Sequence, residues 1–242
     1  MKIVGIIPAR YKSSRFPGKP LVDIFGKPMI QHVYERSVQS TLLSEVYVAT
    51  DDERILSSCK ERNISVIMTS NKHPTGTDRV AEVAQTIEAE IYVNIQGDEP
   101  LISPNSIDTA IKGLMNLTPQ TGTNLIKKIE NMSDLIDTRV PKVVVNDNFD
   151  AVFLSRQAIP YPKGHIAPDY YKQICVYAFT KETLLRFKGM RQSRNELIEE
   201  IELLRFIDNG IPIRMIEVFE DTIAVDVPND VVKVCNVIRG FQ

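Results

Sequence analysis

The sequence predicts an α/β fold built on a doubly wound, mostly parallel sheet. Two observations carry this: a β-branched run at residues 3–7 stops at Pro8-Ala9-Arg10, and an apolar run at residues 91–95 stops at Gly97-Asp98-Glu99-Pro100. A third is the alternation of such runs with amphipathic helical stretches through the first half of the chain. With 242 residues, 43% of them hydrophobic and 25% charged, the chain suits one large α/β domain or a domain with a modest insertion. Lysine and arginine number 29 against 31 for aspartate and glutamate, so no basic excess favours nucleic acid or an anionic membrane. The three cysteines, Cys59, Cys175 and Cys235, are widely spaced without Cys-x-x-Cys, which argues against disulfides or structural zinc and for a cytoplasmic protein. Pro8 and Arg10 interrupt the N-terminal apolar run before signal-peptide length, and no other run is long enough to span a bilayer.

The loop after the first strand holds Arg10, Lys12, Arg15 and Lys19 together with Ser13, Ser14 and Gly18. Such a set suits phosphate: the cations neutralise it, the hydroxyls donate to its oxygens and glycine lets the backbone approach. Neither the Walker pattern nor Gly-x-Gly-x-x-Gly occurs, and a solvated basic loop is the alternative. Pro28 opens a helix with Met29, Ile30, Val33 and Tyr34 on one face. Residues 45–50 form a second strand, after which Asp51-Asp52-Glu53 suits helix capping. Residues 64–68 form a third strand that enters a polar binding loop, residues 69–79. Thr77 is expected to cap the next helix, and Arg79 in its first turn opposes the dipole, which points to an anionic ligand.

The strand at residues 91–95 places Asp98 at its carboxyl end, where open parallel sheets border their ligand crevice. Asp98 is therefore a candidate metal ligand, with a role in shaping the turn as the alternative. A helix is expected over residues 103–117. The second half reads as hairpins: strands at 123–129, 141–145 and 151–154, a turn at 134–137, and a hairpin turn at Asn146-Asp147-Asn148. A strand at 171–179 and a helix opened by Thr180 follow. Residues 195–209 then predict one helix ended by Asn209-Gly210, with Glu196, Glu199, Glu200 and Glu202 on a solvated face. After a strand at 214–219, Asp226 is a second carboxylate at a strand-to-helix junction, with capping as its alternative.

Several of these segments together resemble the CMP-Kdo synthetase (3-deoxy-manno-octulosonate cytidylyltransferase) family. They are Ile7-Pro8-Ala9-Arg10, Ser14-Arg15-Phe16-Pro17-Gly18-Lys19-Pro20-Leu21, Ala49-Thr50-Asp51, Thr75-Gly76-Thr77-Asp78-Arg79, Gln96-Gly97-Asp98-Glu99-Pro100, Ser155-Arg156 and Val225-Asp226-Val227-Pro228. The resemblance spans almost the whole chain. It implies a nucleotidyltransferase-type fold over residues 1–242, with a β-rich dimerisation and sugar-side insertion at roughly residues 121–180. It also implies a homodimer that uses CTP, Mg2+ and a 3-deoxy keto sugar acid, serving lipopolysaccharide or capsule synthesis. Residue by residue, it assigns catalysis to Lys19, Asp98 and Asp226, with both aspartates on the metal. Pro8, Ala9, Arg10, Ser14, Arg15, Lys19, Thr69, Ser70, Gly76, Thr77 and Arg79 fall to the nucleotide, and Gln96, Arg156, Gln173, Tyr177 and Glu202 to the sugar.

Two departures fall on the expected sugar side. Gln173-Ile174-Cys175-Val176-Tyr177 stands where the family shows His-x-Gly-Ile-Tyr, and Ile201-Glu202-Leu203-Leu204-Arg205 stands where it shows Leu-Glu-Gln-Leu-Arg. A neutral amide cannot become a cation, and leucine neither donates nor accepts. The acceptor is thereby left open among Kdo, a modified form such as 8-amino-Kdo, and a nonulosonic acid. A sugar-phosphate nucleotidyltransferase and an inactive nucleotide-binding protein of the same fold are the other readings.

Overall fold

The structure is a computed structural model that describes every residue except Ser14, Phe241 and Gln242. Strand β1 (Ile3–Ala9) leads through the basic loop and a 3-10 turn at Lys19–Leu21 into the short ribbon β2 (Asp23–Ile24) and β3 (Lys27–Pro28), then helix α1 (Met29–Ser37). Next come β4 (Glu45–Thr50), α2 (Glu53–Glu61), β5 (Val66–Met68), α3 (Gly76–Val83), β6 (Ile91–Ile95) and α4 (Pro104–Met115). The second half holds β7 (Gly122–Lys128), α5 (Met132–Ile136), β8 (Lys142–Val145), β9 (Ala151–Ser155) and β10 (Tyr171–Thr180). It continues through α6 (Lys181–Gly189), α7 (Arg194–Glu199), α8 (Leu203–Asp208), β11 (Ile213–Glu217) and α9 (Pro228–Gly240).

The main path of the sheet runs β11-β7-β10-β6-β1-β4-β5. β1 pairs in parallel with both β4 and β6, β4 with β5, and β11 with β7, while β10 runs antiparallel to β6 and β7. The chain winds outward from β1 to β5 and then returns to β6 on the other side of β1. That reversal puts the topological switch between β1 and β6, where a doubly wound sheet opens its crevice. Apolar residues cover both sheet faces. Ile7, Val48, Val93 and Ile111 belong to one buried layer, while Ile6, Tyr92, Phe179 and Phe206 belong to the other.

The mostly parallel sheet is as the sequence predicts, but the hairpin reading of the second half is corrected. Among the described residues of that half only β8 and β9 form a hairpin, closed by Asn146, whose Oδ1 accepts from the amides of Asn148 and Asp150. β7 and β10 are full members of the central sheet and join non-consecutive partners, a long-range choice that no local pattern encodes. Residues 134–137, expected as a turn, fall largely within α5. Asp226 lies in irregular backbone rather than at the end of a strand, in a segment held by the Val225 amide donating to the Asp98 carbonyl at 2.8 Å.

The helix expected over residues 195–209 is also corrected, because it breaks into α7 and α8. Ser193 and Glu196 form a capping box at the start of α7, and Glu200 closes it in a left-handed conformation with φ 52°. The expected solvated acidic face is therefore wrong for Glu196, which is 2% exposed. Arg205 is what allows this, for its guanidinium binds Glu196 Oε1 at 2.6 Å and Asp78 Oδ1 at 2.8 Å.

Gly97 shows why the turn after β6 needs glycine. A Cβ at this position would come within 2.8 Å of the Pro8 carbonyl oxygen, which is backbone and cannot swing away. Gly97→Ala is therefore expected to force β1 and β6 apart at their carboxyl ends, costing about 1–3 kcal/mol of stability. Thermal unfolding and turnover are expected to fall together in this variant; unchanged values for both would show that the strand ends move freely.

Candidate active site

The carboxyl ends of β1 and β6 open into a cleft of about 980 Å³. One wall is the basic loop, with Pro8, Ala9, Arg10, Arg15 and Lys19, and the floor is Gln96, Gly97 and Asp98. The opposite wall brings Arg156 together with Gln173, Tyr177 and Glu202 from β10 and the α7–α8 junction. Segments spread from Pro8 to Asp226 thus meet in one space. Ser14 lies outside the described residues.

Lys19 organises the end of the cleft beside the basic loop. Its Nζ donates to Asp98 Oδ2 at 2.6 Å and to the Val225 carbonyl at 3.1 Å, and lies 3.5 Å from Asp226 Oδ1. Burial alone would lower its pKa, but the charges and hydrogen bonds of Asp98 and Asp226 outweigh burial and raise it. Arg15 reaches the same Asp226 oxygen at 3.0 Å. Capping of α9 is left to Asp230, whose Oδ2 accepts from the Asp226 and Val227 amides, both at 3.1 Å. Asp226 is thereby left free of a capping role and faces the cleft.

The polar loop before α3 is arranged differently from expectation. Thr75, not Thr77, caps the helix, its Oγ1 accepting from the Asp78 amide at 3.3 Å. Thr77 is buried below the cleft floor, where its Oγ1 accepts from Asn94 Nδ2 at 3.0 Å and its amide donates to Glu202. Arg79 reaches the cleft wall but already has partners: Asp51 at 3.4 Å, the Ser70 carbonyl at 3.4 Å and the Thr69 hydroxyl. Asp51 supplies a negative charge beside the Arg79 guanidinium within the protein itself. Thr69 and Ser70 hold Arg79 from behind and lie off the cleft wall, whereas Gly76 lines it.

On the opposite wall, Glu202 accepts from the Thr77 amide at 2.9 Å, from Gln96 Nε2 at 3.4 Å and from Asn94 Nδ2 at 3.5 Å. Arg156 donates to the backbone carbonyls of Glu199, Thr138 and Glu200 at 2.6, 3.0 and 3.2 Å, so its guanidinium shapes the wall. Leu203 corrects the expected second departure: it is wholly buried in the apolar layer with Phe206 and does not line the cleft. Of the two polar exchanges only Gln173 faces the cleft, where Cys175, in place of the family's glycine, and Ile201, in place of its leucine, line the wall as well.

Sequence reasoning missed Asn94, Glu99 and Asn124, although a polar amide in the apolar run 91–95 is itself a signal. Glu99 lines the cleft beside Asp98, and its Oε2 is buried without a partner. Desolvation, aided by the Asp98 charge, pushes its carboxyl from an ordinary 4.5 up to about 8. The folded protein therefore holds a proton that the unfolded chain releases. Stability from this group is present below 4.5, falls as pH rises toward about 8, and is flat above. Chemical denaturation of wild type across this range is expected to show that fall, and Glu99→Gln is expected to flatten it; parallel profiles would remove Glu99 as its source.

The cytidylyltransferase family profile matches residues 4–216. The chain belongs to the cytidylyltransferase family. This cytidylyltransferase is 44% identical to the 3-deoxy-manno-octulosonate cytidylyltransferase of Geobacter metallireducens, over 100% of both chains. It is 43% identical to that of Escherichia coli over 94% of this chain and 92% of the relative. A solved CMP:2-keto-3-deoxy-manno-octonic acid synthetase complexed with CTP superposes with a TM-score of 0.93 at 41% identity, covering 100% of both chains. The protein is thus a nucleotidyltransferase enzyme with the fold that its sequence predicts. Among the described residues no helix is long and apolar enough to cross a membrane.

Proposed function

We propose that this enzyme transfers the cytidylyl group of CTP to the anomeric hydroxyl of a 3-deoxy-octulosonate-type sugar acid and releases pyrophosphate. The observation that carries it is the meeting of Lys19, Asp98 and Asp226 between a basic loop and a polar, hydrogen-bonding wall. Arg10, Arg15 and Lys19 would neutralise the triphosphate, while Gln96, Glu202 and Gln173 would orient the sugar's polar groups. The anomeric oxygen attacks the α-phosphorus, the bond to the bridging α,β-oxygen breaks with its electron pair leaving on pyrophosphate, and the hydroxyl proton passes to water. Positioning and fixed charge supply most of the barrier reduction, since little covalent chemistry is asked of the protein.

A divalent cation fits this site. Two carboxylates already converge on one ammonium, at 2.6 Å from Asp98 and 3.5 Å from Asp226, so a cation is accommodated between them. No group of three or more acidic, histidine or cysteine side chains that could together hold a metal ion occurs among the described residues. Asp98 and Asp226 would therefore share a hard ion such as Mg2+ with oxygens of the nucleotide and water. When bound, it neutralises phosphate charge and favours ionisation of the attacking hydroxyl.

Within the range of residues assigned to dimerisation, the loop after β9 exposes Tyr161 and Ile166 at 83% and 86%, which supports self-association through that loop. Use of CTP, together with three free cysteines, supports a cytoplasmic enzyme of lipopolysaccharide or capsule synthesis. Gln173 in the cleft favours a modified acid such as 8-amino-Kdo as a second acceptor. The test is pyrophosphate release with CTP and Mg2+ against Kdo, 8-amino-Kdo, a nonulosonic acid and a sugar 1-phosphate. Release with an octulosonate-type acid is expected; release with the sugar phosphate alone would overturn the proposal.

A further inference from the structure

Gln173 lies on β10 at the cleft wall, yet the residue as a whole is only 8% exposed. Behind it on β7 stands Asn124, wholly enclosed and away from the cleft. The β7–β10 register shifts between Ile174 and Tyr177, and Asn124 Nδ2 spans that irregularity, donating to the Ile174 and Val176 carbonyls at 2.8 Å each. An amide nitrogen has two hydrogens, and both are used here. The Asn124 amide therefore has one permitted orientation, with its Oδ1 turned to Gln173. It accepts there from Gln173 Nε2 at 3.1 Å. A reversed Gln173 amide would oppose two carbonyl oxygens in a water-poor place and leave both without a donor. Among the described residues no donor reaches Gln173 Oε1, and that atom is not sealed from the cleft.

We propose that Asn124 locks the polarity of the Gln173 amide, so that Gln173 recognises the acceptor sugar by accepting a hydrogen bond from one of its donor groups, a hydroxyl or an ammonium. Gln173 is then a specificity-determining residue, and Asn124 a positioning residue that never touches substrate. The inference rests on the sugar-acid reading above. It also explains why an amide is stable on this wall: its orientation is set by β-strand carbonyls, not by solvent.

The test uses pyrophosphate release with a series of sugar acids in which single hydroxyls are replaced by hydrogen, by fluorine or by an amine. Hydrogen neither donates nor accepts, fluorine accepts without donating, and the amine donates. At one position, hydrogen and fluorine are expected to lower wild-type kcat/KM alike, by about tenfold or more, while the amine is tolerated. Gln173→Met is expected to abolish that position's penalty and raise the acceptor KM with the CTP KM unchanged. Asn124→Ser frees the amide to turn, so the fluorinated acid is expected to regain rate over the hydrogen-substituted one. If this variant does not fold, the Gln173→Met comparison decides. Better wild-type turnover of the fluorinated than the hydrogen-substituted acid, or no penalty dependent on position 173, would overturn the amide assignment alone. Release from no sugar acid at all would overturn the reading on which it rests.

Discussion

Asp98→Asn is expected to slow pyrophosphate release at least about a hundredfold, roughly 3 kcal/mol in the barrier. Asparagine keeps the size of the side chain and the turn after β6, but removes a charge that Lys19 contacts at 2.6 Å. Lys19 would then keep only the more distant Asp226 as a carboxylate partner, at 3.5 Å, and the proposed cation would lose half of its protein charge. The Val225 amide would still donate to the Asp98 main-chain carbonyl, so the fold around the site is expected to persist. Turnover at saturating Mg2+ with an unchanged circular dichroism spectrum is the measurement. Near wild-type turnover would remove Asp98 from the mechanism.

The largest effect on stability is expected from Arg205→Met. Arg205 is 1% exposed, with Nη1 and Nη2 donating to Asp78 at 2.8 and 3.0 Å, and Nε and Nη2 donating to Glu196 at 2.8 and 2.6 Å. Burial opposes its charge, but the bonds to Glu196 and Asp78 more than compensate and hold its pKa above the usual value. Methionine would fill similar space but strand two enclosed carboxylates, at a cost of about 3–5 kcal/mol. Urea unfolding measures this directly. Adding Glu196→Gln to the variant is expected to recover part of the loss, because one stranded charge disappears. A loss below about 1 kcal/mol would mean that the carboxylates protonate or reach water without Arg205.

The same triad shows where legibility ended. Asp78 and Arg205 each lie in a helical pattern that sequence periodicity locates, yet they are 127 positions apart and nothing local couples them. Their pairing anchors α8 beside α3, and Glu202 at its entrance then receives the Thr77 amide. Sequence periodicity joined residues 195–209 into one helix because helical spacing continues through Glu200. The break depends on a tertiary contact that no window of the chain contains. For similar reasons Thr77, Thr69 and Ser70 lie under or behind the cleft: a polar loop marks a binding region without showing which hydroxyls and carbonyls are spent on holding Arg79 and Asn94.

By itself the sequence determined the strand–helix alternation, the basic loop after β1, the acidic turn after β6 and the second carboxylate at Asp226. These are local properties: period sets the elements, and charge and turn chemistry at an element's end set what can gather there. Only the tertiary structure decided the strand order that makes β1 and β6 neighbours, the break that frees Glu202, the loss of Leu203 to the core and the orientation of Gln173. Each depends on which distant group satisfies a buried charge, donor or acceptor, and burial is a property of the packed molecule rather than of any segment.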